Sequence, residues 1–280
     1  MITACHDRLH TREADFHDDW AASTPLDQIL VHECFEAPTA VENRFVLSKM
    51  GPLHNIELLD IGSGLGESSV YFALHGARVT AVDVSPGMVD TTVRLGQQHG
   101  VTIHGKVAVG EDLCLPPDHF DLVYLANTIH HVHDRDRLFQ QIHNTLKPGG
   151  RFFSIDPIAY NPLINIYRKM ATQTRTEDES PLTYQDIATA RHYFTDVGHR
   201  EFWLASLALF VKYYLVDRVH PNDDRYWKRI LRETKDTLWW WLPLSRLDRL
   251  LTRLPYVRYL CWNTVLWGTK ADAAAGRASH

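Results

Sequence analysis

The sequence predicts an α/β protein built on a doubly wound, mostly parallel sheet. Three observations carry that prediction. Short apolar runs recur along the chain, each followed by a stretch of helical character and a Gly or Pro stop. One run, Ile56 to Ile61, passes directly into three glycines, Gly62, Gly64 and Gly66. The polar residues Asp60, Asp83, Glu111, Asp112 and Asn127 all stand where such runs end. Strands alternating with helices argue for a sheet covered on both faces, and such sheets bind ligands at the strands' carboxyl ends.

Taken in order, residues 1–25 are polar and acid-rich with little period, which predicts a flexible end or a loose first helix. From Leu26 to Met50 the apolar residues Ile29-Leu30, Phe35, Phe45-Val46 and Met50 fall at helical spacing, and Gly51-Pro52 stops the pattern. The first strand ends at Ile61 and turns through the glycines into a helix from Ser68 to Leu74. That turn gathers backbone N–H groups and a helix N-terminus at one point, where an anionic group is favoured. Glycine has no Cβ, so a ligand can approach the backbone closely there. Arg78 to Asp83 is the second strand. Ser85 caps the next helix and Pro86 suits its first turn; Gly100 ends it. Val101 to Val109 and Phe120 to Ala126 read as the third and fourth strands. Asp134 to Leu146 is a helix, stopped by Pro148-Gly149-Gly150, and Arg151 to Asp156 is the fifth strand.

The glycine turn reads D-x-G-x-G-x-G from Asp60 to Gly66. It departs from the dinucleotide spacing G-x-G-x-x-G/A, because Glu67 fills the last slot and the third glycine comes one residue early. It resembles the first motif of the class I S-adenosylmethionine (SAM)-dependent methyltransferases of the small-molecule type. Leu146-Lys147-Pro148-Gly149-Gly150-Arg151 also matches that family's turn before the fifth strand, and the resemblance spans residues 26–156. It implies a Rossmann-like sheet of seven strands, the last antiparallel. It implies SAM as cofactor and S-adenosyl-L-homocysteine as product. Asp60, Gly62, Gly64, Gly66 and Asn127 would then hold the methionine end, and Asp83 the ribose hydroxyls. Glu111 and Asp112 would face the adenine, with Asp112 accepting from its amino group, Leu113 N–H donating to the ring, and Met88 packing on its face. Helices ahead of the first strand often close over the cofactor in this family, so residues 26–50 are expected to form a lid.

The run Asn127-Thr128-Ile129-His130-His131-Val132-His133-Asp134 has the composition of a metal site. Asp134 is better used as the cap of the following helix, a similar His-His pair occurs in methyltransferases without metal, and no metal is expected. His130 or His131 could instead serve as a general base near neutral pH, His131 being the first candidate. The opposing reading has one histidine packed and the other merely polar.

Residues 157–196 form a substrate-side helical insertion. Asn161 caps a helix with Pro162 in its first turn, and that helix carries Arg168. Arg175 follows in a polar loop, and Thr183 to Phe194 is a further helix. Arg168 and Arg175 could hold an anionic group or pair with nearby acids; Asp156 and Tyr160 could wall the acceptor. In residues 197–270, Val197 to Ala205 and Tyr259 to Thr269 are the sixth and seventh strands, an antiparallel edge pair by the resemblance. Between them lies a basic, aromatic insertion, 206–258, where a short loop would suffice. Leu244, Leu247, Leu251 and Leu254 share one helical face, Arg246, Arg249 and Arg253 lie away from it, and Ser245 with Asp248 has capping-box spacing. Two readings stand: a helix packed on the sheet, or peripheral contact of 239–254 with a membrane or a greasy substrate. Residues 271–280 are a small, polar tail.

The whole composition sets limits. Of 280 residues, 45% are hydrophobic and 22% charged, as in a soluble globular protein. Net charge is −5, but residues 201–270 hold 12 Lys/Arg against 7 Asp/Glu and seven of the eight Trp. No basic groove covers the cofactor half, which argues against nucleic acid. No signal peptide or spanning segment is read, and four scattered cysteines suit a reducing compartment. The expected protein is cytoplasmic, with possible peripheral contact at the inner membrane surface. Its expected function is methyl transfer from SAM to a small, largely apolar acceptor, on oxygen first. The alternatives are C- or N-methylation of an isoprenoid or lipid-like substrate, and SAM binding without catalysis.

Overall fold

The computed structural model describes residues 2–176 and 179–272, with side chains from residue 9 onward, so the predicted tail lies outside the described residues from 273 on. Seven strands form one sheet in the order β3-β2-β1-β4-β5-β7-β6. They are β1 (Glu57–Ile61), β2 (Arg78–Asp83), β3 (Ile103–Val107), β4 (Phe120–Ala126), β5 (Leu146–Pro157), β6 (Thr195–Phe202) and β7 (Asn263–Thr269). β1 pairs in parallel with both β2 and β4, and β7 lies antiparallel to both β5 and β6. This is the doubly wound sheet with an antiparallel last strand that the resemblance implies. Chain order reverses between β1 and β4, so a crevice opens at their carboxyl ends.

Strand alternation builds two cores. Leu58 joins one buried cluster with Val79 and Ala81, whereas Leu59, Ile61 and Val82 join the other, as the period of two requires. Helices cover both faces: α4 (Glu67–Leu74), α5 (Pro86–Gln98), α6 (Arg135–Thr145) and α8 (Tyr184–Tyr193). The caps follow the sequence: Ser85 Oγ accepts from Met88 N, Asp134 from Arg137 N, and Thr183 with Asp186 forms a capping box.

β5 begins at Leu146 rather than Arg151, so Pro148-Gly149-Gly150 lies within the strand, and two further regions differ from the sequence reading. Residues 26–50 form no single helix; they break into a 3-10 turn (Leu26–Gln28), α2 (Glu33–Glu36) and α3 (Val41–Met50). Pro38 lies just past α2, where its ring and missing N–H prevent the helix from continuing. The longest helix is instead α1 (Ile2–Ser23). The insertions make α7 (Pro162–Met170), α9 (Ala208–Leu215), α10 (Tyr226–Arg232) and α11 (Thr234–Leu251). They share a third core of Ile164, Trp203, Phe210, Tyr213, Tyr226, Ile230 and Trp241. Thr39 Oγ1 bonds Ile230 O at 3.2 Å and Thr234 Oγ1 at 2.7 Å, which seats α10 against the main body.

α11 runs through Ser245 and Asp248 without starting there. Asp248 is buried and accepts backbone N–H bonds from Leu204, Ala205 and Ser206, so it caps the turn leading into α9. Thr234, Thr237, Trp241 and Asp248 face inward, while Leu247, Leu250 and Leu254 stand exposed. Leu247 and Leu250 therefore stand on the helix's outer face and Leu254 follows it exposed, while Leu244 and Leu251 are half-buried.

Candidate active site

The crevice between β1 and β4 opens into a cavity of about 340 Å3. At its β1–β2 end the glycine turn is held by Asp83. Gly64 N donates to Asp83 Oδ2 at 2.9 Å and Ser85 N to Oδ1 at 3.0 Å. Burial pushes the Asp83 carboxyl up, against those two N–H donors, which hold it down. Gly62 has φ +71° and its missing Cβ would lie 2.2 Å from Thr128 Oγ1. Gly64, at φ +53°, faces open space: a Cβ there meets nothing within 4 Å. Glu111 also lines the cavity, and its buried Oε1 has no hydrogen-bond partner. An open glycine cradle and an unpartnered acceptor suit a ligand with donors and a cation, so these residues fit SAM.

At the other end stand the two histidines. His130 is buried; its Nδ1 lies 2.9 Å from Asp156 Oδ1, and its Nε2 lies 3.8 Å from Glu179 Oε2. Burial holds the His130 imidazole well below its usual pKa and raises Asp156 to about 7, so charge is disfavoured on both. His131 is partly exposed, with Nδ1 3.2 Å from Glu13 Oε1. Glu13 Oε2 in turn lies 3.4 Å from His17 Nε2. Burial alone would raise the Glu13 carboxyl, but His131, His17 and Thr176 outweigh it and hold it far down. Glu13, His17 and His131 present ligand atoms within 4.8 Å of one another, a donor set able to take a divalent ion.

Of the residues singled out in the sequence, Gly62, Gly64, Asp83, Glu111, Asn127, His130, His131, Arg168 and Arg175 line this cavity. The others are placed differently. Asp60 is buried behind the turn, where Ser69 Oγ donates to it at 2.6 Å and burial raises its carboxyl to about 7. Gly66 packs on Thr92 at the start of α4. Met88 is fully buried in the core. Asp112 is exposed toward a separate cavity shared with Cys114 and Lys270, because the Val109–Asp112 bridge turns Glu111 inward and its neighbour out. Leu113 N already donates to Gln141 Oε1 at 3.4 Å. Asp156 reaches the site only through His130, and the exposed Tyr160 stacks on Tyr184 away from it.

Residues from 34–43 of the expected lid line the cavity, but sequence reading missed the rest of the roof. α1 crosses the cavity and brings His10, Glu13, His17 and Trp20 to its lining. Asp18 on the same helix accepts from Gly87 N at 2.8 Å and Ser85 Oγ at 2.5 Å, which docks α1 on α5. α10 closes the roof: Lys228 Nζ bonds Glu67 Oε1 at 2.6 Å, and Arg225 lies 3.9 Å from the Trp20 ring centre. The available signal was the i, i+4 pairing of Glu13 with His17 within a polar segment.

Residues 59–154 match the family described as a methyltransferase domain. A ubiquinone biosynthesis O-methyltransferase of Xylella fastidiosa is 33% identical over 108 residues, 38% of this chain and 44% of that protein. The same enzyme of Coxiella burnetii is 32% identical over 96 residues, 34% of this chain and 41% of that protein. The match thus spans less than half the length of these curated relatives. Among solved structures, the Haemonchus contortus phosphoethanolamine N-methyltransferase 2 in complex with S-adenosyl-L-methionine superposes with TM-score 0.55 at 21% identity, covering 83% of this chain and 52% of that one. The Streptomyces coelicolor geranyl diphosphate C-methyltransferase gives TM-score 0.54 at 16% identity, covering 83% and 79%. These likenesses carry the fold. The glycine turn and the strand order agree with that match, and residues 59–154 read as a methyltransferase domain within a Rossmann-like sheet.

Proposed function

We propose that the chain methylates an oxygen of a small, largely apolar acceptor. The observation that carries this reading is the single cavity that joins the glycine turn and Asp83 to the His130–His131 pair. The partial relatedness to O-methyltransferases supports oxygen over carbon or nitrogen. Bound SAM would supply a methyl group on a sulfonium and leave as S-adenosyl-L-homocysteine. The chain's own residues do the rest. Asp83 and Glu111 offer acceptors to the cofactor's hydroxyl and amino donors, and the glycine turn lets it approach. α1 and α10 exclude water. His131, whose Nδ1 lies 3.2 Å from Glu13 Oε1, takes the acceptor's hydroxyl proton. Turnover of labelled SAM with a panel of phenols and quinols tests this. An O-methyl product should form, and His131→Ala should lower kcat by ~10²–10⁴ while leaving SAM affinity nearly unchanged. SAM binding without turnover on any acceptor would leave a non-catalytic binding protein.

A second reading rests on α11: the enzyme works at a membrane surface on a lipid-like acceptor, by C- or N-methylation. Trp239, Trp240, Leu247, Leu250 and Leu254 are exposed along one insertion, interspersed with exposed Arg246, Arg249 and Arg253. No helix among the described residues is long and apolar enough to cross a membrane, so such contact would be peripheral. Sedimentation with anionic vesicles tests it; no binding at low salt would remove it.

A further inference from the structure

The cavity is charged unevenly. Toward the glycine turn its titratable groups are mainly carboxylates: Asp83, Glu67 and Glu111. Beyond His130 three guanidinium groups line the cavity, from three separate elements. Arg168 comes from α7, Arg175 from the following segment and Arg225 from the residue that precedes α10. One carboxylate serves the first two: Glu179 Oε2 touches Arg175 and lies 3.5 Å from Arg168 Nη2. Glu179 is almost wholly buried, at 6% side-chain exposure, and Arg168 and Arg175 are at 12% and 17%. Arg225 packs on Trp20 and makes no ion pair among the described residues. Its neighbour Asp224 is engaged by Arg232 at 2.5 Å.

Among the described residues one carboxylate, Glu179, is in ion-pair contact with Arg168 and Arg175 in a largely water-excluded wall, and Asp224 acts on Arg225 without touching it. Burial lowers Arg168 to about 10 and Arg175 to about 9, with mutual repulsion adding to the effect on Arg175. Buried charges of one sign are costly unless an opposite charge joins them. The guanidinium fork matches the planar or tetrahedral oxygens of a carboxylate or phosphate. Placed past the histidines, these forks would grip a part of the acceptor remote from the reacting atom.

We propose that Arg168, Arg175 and Arg225 form a subsite for an anionic group of the acceptor, a phosphate ester or carboxylate, which Glu179 fills as an internal counterion until the acceptor binds. The proposal rests on the methyl-transfer reading for what the anion belongs to. The acceptor it describes is an amphiphile, anionic at one end and apolar along its body.

Calorimetric titration of the full chain, preloaded with S-adenosyl-L-homocysteine, tests the subsite with phenyl phosphate and benzoate as separate probes. Phenyl phosphate binding above benzoate assigns a phosphate ester; the reverse assigns a carboxylate. Arg175→Gln and Arg225→Gln should each weaken the preferred probe about ten- to a hundredfold, as lost charge-assisted bonds do. Arg175→Lys, which keeps the charge and loses the fork, should fall between. Glu179→Gln should tighten binding. Arg225→Gln strands no buried carboxylate, so it reports on the subsite even where Arg175→Gln folds poorly. Neither probe binding, or probes binding equally to parent and variants, overturns the proposal. S-adenosyl-L-homocysteine affinity, measured alone, separates the two readings: its absence removes the cofactor assignment, whereas its presence without probe binding removes only the subsite.

Discussion

Asp83 does two jobs with one carboxylate. Its oxygens hold the backbone of Gly64 and Ser85, and it borders the cavity. Asp83→Ala should weaken SAM binding by about 1.5–3 kcal/mol, the scale of lost bonds to a charged group; equal affinity by calorimetry would contradict the assignment. The glycines separate in the same way. A side chain at Gly62 runs into Thr128, which itself donates to Ile61 O at 3.0 Å, so Gly62→Ala should lower both melting temperature and SAM affinity. At Gly64 the only obstacle to folding is positive φ, a cost of roughly 1–2 kcal/mol. Gly64→Ala should therefore fold and still lose SAM, as equilibrium dialysis beside a thermal melt would show. Asp83 and both glycines were legible in the sequence because a strand–turn–helix spacing fixes where they stand. Asp112 and Leu113 were misplaced because adjacent acids after a strand look equivalent until one bridge decides which of them turns inward.

At the scale of elements, α11 hides only part of its apolar surface: Trp241 is buried and Leu244 and Leu251 are half-buried, while Leu247 and Leu250 face out. Its inner face holds Thr234, Thr237, Trp241 and Asp248 because the turn into α9 needs a cap and finds it in Asp248. Asp248→Ala strands buried N–H groups at residues 204–206 and should cost about 1–3 kcal/mol in chemical unfolding. Leu247→Asp changes an exposed position and should move the melting temperature by no more than about 2 °C, since surface substitutions are worth about half a kcal/mol. If the outer face meets lipid, the same variant should lose vesicle binding. A large drop in stability for Leu247→Asp would show that the stripe is packed after all. Ser245 and Asp248 do have capping-box spacing, but the helix had already begun at Thr234. Local spacing could not reveal that start, because three of its four buried residues, Thr234, Thr237 and Asp248, are polar. The roof helix α1 was hidden for a related reason: it buries imidazoles, carboxylates and one Trp over a cavity, so it shows no apolar stripe to read.

Across the whole molecule, the sheet was readable because each strand is an apolar run bounded by turn residues, and buried parallel strands leave few other arrangements. The pocket was half readable: the floor comes from strand ends, and the roof comes from segments whose positions depend on tertiary contacts such as Asp18 with Gly87. The same burial that shapes the floor stores a pH dependence. Asp60 and Asp156 are both raised by burial from an ordinary 3.8 to about 7, and Glu42 and Asp83 are raised too. Between the unfolded and folded values the folded chain binds more protons than the unfolded one. Stability from these groups is therefore fully present below the unfolded pKa and is lost as pH rises through about 7. Glu13 and Asp121, held low, work the opposite way: their contribution exists above the unfolded carboxylate pKa and disappears in acid. Maximum stability should then lie on the mildly acidic side. Melting temperature should fall by several degrees between about pH 5.5 and pH 8. Asp60→Asn keeps an acceptor for Ser69 Oγ and removes the titration, so its melting curve should depend less on pH than the parent's. An Asp60→Asn variant with the parent's slope would mean that Asp60 is ionised in the folded state at no cost.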